Sequence, residues 1–230
     1  MTGRGDTAFA EDRARALALT PVSDETRARL DAFVALLTAW QRRINLVATA
    51  TLPQLWTRHI ADSLQLLRFA PGARVWVDLG SGAGFPGVPI GCALAGTAGA
   101  AVHLVESNGK KAAFLREAVR VTHVPAVVHA ERIEKFGDSA PARIDVVTAR
   151  ALAPLSLLYE RAMPFLAKGA IGLFLKGQDI EVELTEAAKY WTVHYELEPS
   201  LTGRDGVVVV VRRLERKRQA LTPDGPEPII

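Results

Sequence analysis

The residues best suited to chemistry lie in one stretch, Val75-Trp76-Val77-Asp78-Leu79-Gly80-Ser81-Gly82-Ala83-Gly84-Phe85-Pro86-Gly87, where an apolar run meets an acid and alternating glycines follow. The pattern reads as a strand, a tight turn and a helix start. Lacking Cβ atoms, such a turn can take positive φ and let a ligand lie against bare backbone, with a helix N-terminus behind it. Further on, a second apolar run ends in His103-Leu104-Val105-Glu106, and an ionised acid at that strand end can accept hydrogen bonds from both hydroxyls of a ribose. Together they point to an enzyme that binds a nucleoside, although acids at strand ends are also common without a ligand. Arg132, Arg150 and Lys176 each follow a predicted strand and so share the ligand-binding edge, where they can meet anions or simply be solvated. His103, His123, His129 and His194 show no metal-ligand spacing, and no metal is assigned.

Positioning these groups requires alternating strands and helices. Apolar runs at 75–79, 101–105, 126–129, 144–148 and 170–175 are separated by helical or loop segments, which implies right-handed βαβ units and a parallel sheet. Helices are predicted over Lys110–Arg120, with Ala113, Phe114 and Ala118 inward, over Pro154–Leu166, and around Ile180–Lys189. The chain ends differently: Trp191–Leu197 and Val207–Arg212 read as an antiparallel hairpin joined through Gly203-Arg204-Asp205-Gly206. The expected fold is α/β: a Rossmann-like, mostly parallel seven-stranded sheet with a reversed C-terminal hairpin. Ahead of it, Ser23 looks like an N-cap, and Leu30, Phe33, Val34, Leu37 and Trp40 recur at helical spacing. A second helix begins near Pro53 with Trp56, Ile60, Leu64 and Leu67 on one stripe. Residues 1–70 are thus a helical extension with 1–20 left disordered, 71–214 the ligand-binding domain, and 215–230 a basic, then Pro-rich, tail.

Composition narrows the class. With 230 residues, 49% of them hydrophobic, the chain can bury one substantial core. The single Cys92, in apolar surroundings, rules out an intrachain disulfide and reads as a core residue, in keeping with a reducing cytoplasm. The charged N-terminus lacks the apolar core of a signal peptide, so no export is expected. The uncharged run 88–105 is broken by Pro89, Gly91, Gly96 and Gly99 and reads as helix, loop and strand rather than as a membrane span. Net charge is +3, with the excess in Arg212, Arg213, Arg216, Lys217 and Arg218, a cluster that can neutralise phosphates or merely aid solubility.

A dinucleotide fingerprint can be forced onto Gly82, Gly84 and Gly87, but Asp78 precedes the glycines and prolines interrupt them. Gly80, Gly82 and Gly84 behind an acid instead resemble the S-adenosylmethionine loop of class I methyltransferases. With Trp40, Asn45-Leu46 and Arg58-His59-Ile60-Ala61-Asp62-Ser63 before it, and Glu106-Ser107-Asn108-Gly109-Lys110-Lys111, Arg132-Ile133-Glu134, Thr148-Ala149-Arg150-Ala151 and Leu175-Lys176-Gly177-Gln178 after it, the chain resembles the RsmG (GidB) family of bacterial 16S ribosomal RNA methyltransferases. The resemblance runs, in order, over about Leu30 to Arg212.

That resemblance implies methylation of one guanine at N7 in 16S ribosomal RNA of the small subunit, with S-adenosylmethionine as donor, by a cytoplasmic, monomeric enzyme needing no membrane. It assigns cofactor contacts to Gly80, Phe85, Ile133, Glu134 and Arg150. Glu106 joins them on the ribose argument, and Asp78 fixes the loop and the methionyl ammonium end. Guanine N7 carries a lone pair in its neutral form, so no general base is needed and the enzyme acts chiefly by orienting the reactants. Arg150 and Lys176 are the expected catalytic groups, and Arg58, His59, Arg132, Lys176 and Arg204 the expected RNA contacts. Arg204 stands near, but not at, a position where the family tends to carry a basic residue. His59 reads equally as a packing residue at the edge of a helix that lids the site. The rival readings are a class I methyltransferase for a protein or small molecule, and a non-catalytic ribosome-assembly module.

Overall fold

The computed structural model describes residues 3–203 and 206–217. Helix α1 spans Gly3–Leu19 and α2 Asp24–Gln41. A mixed segment follows: a 3-10 turn at Thr49–Gln54, a π-helical turn at Trp56–Ala61, the short α3 (Asp62–Leu64), and a second 3-10 turn at Gln65–Phe69. Then come β1 (Val75–Leu79), α4 (Gly87–Leu94), β2 (Ala101–Val105), α5 (Gly109–Thr122), β3 (Ala126–His129) and α6 (Ile133–Ser139). The chain continues through β4 (Val146–Arg150), α7 (Leu155–Leu166), β5 (Ile171–Lys176), α8 (Ile180–Ala187), β6 (Trp191–Pro199) and β7 (Val207–Arg216).

The seven strands form one sheet in the order β3-β2-β1-β4-β5-β7-β6. The first five are parallel; β7 is antiparallel to both β5 and β6. Alternation along each strand feeds two cores. Trp76 on β1 and Val208 and Val210 on β7 pack on one face with Leu30, Phe33, Leu37, Trp56, Ile60 and Phe114. Val77, Leu79, Val209 and Val211 pack on the other with Phe136, Tyr159, Phe165, Phe174 and Trp191. A sheet covered on both faces explains why these strands read as continuous apolar runs. The uncharged run 88–105 is divided between α4 and β2. Among the described residues no helix is long and apolar enough to cross a membrane.

Four local expectations are corrected. Residues 3–19 form a helix instead of a disordered lead: buried Asp12 accepts hydrogen bonds from the Trp56 and Thr57 amides at 2.8 and 3.3 Å and from the Thr57 hydroxyl at 2.5 Å. The stripe Phe9, Asp12, Ala16 has helical period, but an acid at its centre conceals it. The segment after Pro53 is no regular helix; its change of pitch buries Leu66 fully and leaves Leu67 half-buried. On α5, Ala112 faces the core and Ala113 is exposed. Strand β7 continues to Arg216, so the tail does not begin at 215.

Candidate active site

The carboxyl ends of β1, β2 and β4 meet the glycine loop. Its path is set by backbone: the Ser81 amide donates to Val105 O at 3.0 Å and the Gly84 amide to Ser81 O at 2.7 Å. Gly82 lies at φ +54, and a Cβ there would meet nothing closer than 3.7 Å, so the left-handed conformation itself is what calls for glycine. Gly87 is glycine for another reason, since a Cβ would lie 2.3 Å from Leu104 Cδ2 and 2.8 Å from Asp78 Oδ2. That closeness lets the Gly87 amide, at the start of α4, donate to Asp78 Oδ2 at 3.1 Å. Thr148 Oγ1 donates to the other oxygen at 3.4 Å. Asp78 is buried, and desolvation raises its pKa to about 7 against the opposing pull of the Gly87 amide and of the Ser81 and Thr148 hydroxyls.

Beyond the loop lies a cleft of about 350 Å³ lined by Gly80, Gly82, Glu106, Lys111, Ile133 and Leu152, with Arg132, Glu134 and Arg161 at its rim. Glu106, 8% exposed, holds the loop open: Oε2 accepts from the Gly82 amide at 2.9 Å and Oε1 from the Asn108 amide at 2.7 Å. Two further lone-pair sites on that carboxylate remain for a diol. Half-buried Ile133 and Leu152 offer apolar surface for a planar base. Of the cofactor residues expected from sequence, Gly80, Gly82, Glu106, Ile133 and Glu134 come together here. Asp78, Gly84 and Phe85 lie behind the wall: a Cβ on Gly84 would meet Val88 Cγ2 at 2.8 Å, and Phe85 packs on Phe33 and His59 at 5.4 and 4.8 Å.

A second cleft of about 580 Å³ opens beside the first, lined by Arg58, Asp62, Arg150, Lys176, Asp179 and Thr202 among others. Ala151, at φ +49, lines both clefts. Arg150 belongs here and not in the first cleft. Its Nη2 donates to Arg58 O at 2.8 Å, its Nε stands 3.7 Å from Asp62 Oδ2, and its buried Nη1 has no hydrogen-bond partner. Burial pulls the guanidinium pKa down while Asp62 pushes it back up. Lys176 Nζ is held by Glu183 at 2.6 Å and by Ala153 O at 3.0 Å, which leaves one of its three donors unused. Asp62 is a junction that the sequence did not reveal: Oδ1 accepts from Gln65 Nε2 at 2.7 Å, Thr202 Oγ1 at 2.9 Å and Ser200 Oγ at 3.0 Å. It ties the helical extension to the turn between β6 and β7. Its partners Ser200 and Thr202 lie 138 and 140 positions away, so sequence spacing carried no sign of it.

Other expected RNA contacts fall elsewhere. His59 is 8% exposed, with Nε2 bound to Thr51 Oγ1 at 3.0 Å; burial, then Arg150 and Arg58, push its pKa down to about 3. It is a neutral packing residue rather than a surface contact. Arg132 sits at the rim of the first cleft, 3.8 Å from Glu134, away from Arg150 and Lys176. Arg204 lies outside the described residues. Of the basic C-terminal cluster, Arg218 lies outside the described residues, and the others are at the opposite end of the sheet, because β7 runs backward: Val207 pairs with Lys176 at the cleft edge, whereas Arg216 pairs with Trp191. There Arg212 pairs with Glu196 at 2.9 Å, Arg213 with Glu215, and Arg216 lies over the Trp191 ring. Cys92 is buried, and desolvation pushes its thiol up to about 12.

Comparison with known proteins bears on what these clefts hold. The GidB family, described as rRNA small subunit methyltransferase G, matches residues 26–207. A protein of Nitrobacter hamburgensis named ribosomal RNA small subunit methyltransferase G is 60% identical over 208 residues, covering 90% of this chain and 80% of that one. A Bradyrhizobium protein of the same name is 58% identical over 90% of this chain and 94% of its own. Among solved structures, an O-methyltransferase from Bacillus cereus in complex with SAH superposes with a TM-score of 0.57 at 13% identity, over 91% of this chain and all of that one. The O-methyltransferase TomG from Streptomyces achromogenes, in complex with SAM, gives 0.55 at 14% identity over 91% and 99%. These structural likenesses speak to the fold alone.

Proposed function

The chain belongs to the GidB family, rRNA small subunit methyltransferase G, and from that premise we propose that it transfers a methyl group from S-adenosylmethionine to N7 of one guanine in 16S ribosomal RNA. The observation that carries this reading is the pair of clefts that share Ala151 in their linings. One is suited to a nucleoside and the other to a base or phosphate.

The first cleft fits the donor. Gly80 and Gly82 offer bare backbone, the Glu106 carboxylate has lone pairs for a ribose diol, and Ile133 and Leu152 can flank adenine. S-adenosylmethionine supplies an electrophilic methyl group carried on a sulfonium. Asp78 acts through the loop, by anchoring the Gly87 amide, rather than by touching the donor.

In the second cleft the chain's own groups orient the acceptor. Guanine N7 needs no deprotonation, so what the protein must provide is alignment and a response to the positive charge moving onto the purine. Arg150 lines this cleft with its guanidinium fixed by Asp62 and Arg58 O, so its positive charge faces O6 or a phosphate oxygen of the acceptor. Lys176 has one donor left for the same ligand, while Glu183 offsets its charge. Both clefts are built from a single chain, so a monomer suffices, and the cytoplasm is the compartment where such a substrate is met.

The test is transfer of label from S-adenosylmethionine to small-subunit ribosomal RNA, followed by mapping of the modified nucleotide. Label at one guanine N7 is expected. Label on protein, on a small molecule or at another atom overturns the reading.

A further inference from the structure

Residues Arg42 and Arg43 close α2, and Lys110 and Lys111 open α5. They are far apart in sequence but adjacent in space. Trp40 packs on Phe114 at 5.6 Å, and these cations lie within about one helical turn of that contact on either side. The contact sits at the carboxyl edge of the sheet, because α5 starts directly after β2 and Lys111 lines the donor cleft. The other end of α2 points away from that edge, where Thr26 Oγ1 donates to Cys92 O near the end of α4.

This corner gathers unpaired positive charge. Arg27, Arg120, Lys189, Arg212 and Arg213 each hold a carboxylate at 2.5–2.9 Å. Among the described residues, no ion pair engages Arg42, Arg43, Lys110 or Lys111, and residues 32–44 and 107–116 contain no acid. The lysines are also placed against the helix dipole: the first turn of α5 has two cations and no acidic residue. Positive charge at a helix N-terminus opposes the helix dipole, which a fold would not select for its own stability. A shallow groove floored by Ala35, Thr38 and Ala39 leads along α2 to Arg42 and Arg43, and its small side chains admit a chain lying flat.

We propose that Arg42, Arg43 and Lys110, with Lys111 where they meet the donor cleft, form a phosphate track that holds the RNA backbone flanking the target nucleotide. The track rests on the RNA methyltransferase reading and adds the surface by which the acceptor is gripped outside the acceptor cleft. It is distinct from the basic C-terminal cluster, which by sequence could either neutralise phosphates or merely aid solubility and whose described residues lie at the other end of the sheet. Phosphodiester is the chemistry that fits: among the described residues none of the four cations is in an ion pair, and the groove carries no large exposed apolar side chain.

The experiment compares the full chain with the triple variant R42Q/R43Q/K110Q, measuring binding to protein-free small-subunit RNA and to intact small subunits between about 50 and 200 mM salt. Each phosphate left without its cation lowers the slope of log affinity against log salt by about 0.7–0.9, so the variant should be shallower by about 2–3 and bind RNA about tenfold or more weakly at about 100 mM salt. S-adenosylmethionine affinity and kcat at saturating RNA should be unchanged, which also shows that the variant is folded. Equal affinity and slope for the two proteins overturn the track. So does a weakening seen only with intact subunits, which would make the partner a ribosomal protein. If the wild type itself methylates neither RNA, the function reading fails, and the track with it.

Discussion

Replacing Glu106 by Gln isolates the loop's central contact. The carboxylate serves two backbone donors, Gly82 at 2.9 Å and Asn108 at 2.7 Å, and keeps two lone-pair sites for the donor's ribose. An amide preserves shape but turns one oxygen into an N–H donor, which must face either a backbone amide or a ribose hydroxyl that also donates. Hydrogen bonds to a charged group are worth about 1.5–3 kcal/mol, so S-adenosylmethionine binding should weaken on the order of 10- to 150-fold. At 8% exposure, little solvent screening reduces that figure. Calorimetric titration reads the affinity, while chemical unfolding of the unliganded protein separately reads the broken backbone bond. A variant that is folded and binds S-adenosylmethionine within about threefold of the wild type refutes the role of Glu106 in the donor cleft.

Three further outcomes follow from named contacts. Gly82→Ala should cost about 1–2 kcal/mol for a left-handed alanine and no more, whereas Gly87→Ala, with its Cβ 2.3 Å from Leu104, should cost more than about 3 kcal/mol; equal losses in urea unfolding would contradict the distinction. Asp12→Ala strands two buried amides and a hydroxyl and should cost about 3–5 kcal/mol by the same measurement, with Asp12→Asn milder; a cost below about 1 kcal/mol would mean that α1 is not anchored there. His59 titrates near 3 in the folded chain and near 6.5 when unfolded, so its contribution is complete above pH 6.5 and falls by about 1.4 kcal/mol per unit as pH drops toward 3. His59→Gln should remove that part of the slope, and parallel stability curves for the two proteins would argue against a buried neutral imidazole.

The sheet was legible because both of its faces are covered: runs such as Val207–Val211 and Val75–Leu79 admit no other reading, and the hairpin followed from the short spacing of the last two strands. The lining of the first cleft was legible where backbone chemistry restricts residue type, at Gly80, Gly82 and Glu106. What stayed hidden depends on contacts distant in sequence. Asp62 gave no sign in the sequence of its partners, among them Ser200, Thr202 and Arg150. Asp12 interrupted the stripe that could have marked α1. Arg132 and Arg150 shared an edge in projection, but they line different clefts. The place of the C-terminal basic cluster stayed hidden because it depends on the direction of β7, and charge composition carries no direction.

The wiring of Asp62 also fixes an order of completion. The donor cleft is made from residues 80–161, all of which precede β5 in the chain. The acceptor cleft needs Arg58 and Asp62 from the beginning and Ser200, Thr202 and Val207 from near the end. During synthesis the parts that hold the donor are present well before the other cleft can close. The acceptor cleft cannot be complete before the turn that precedes β7, the strand seated between β5 and β6, has been made and can meet Asp62.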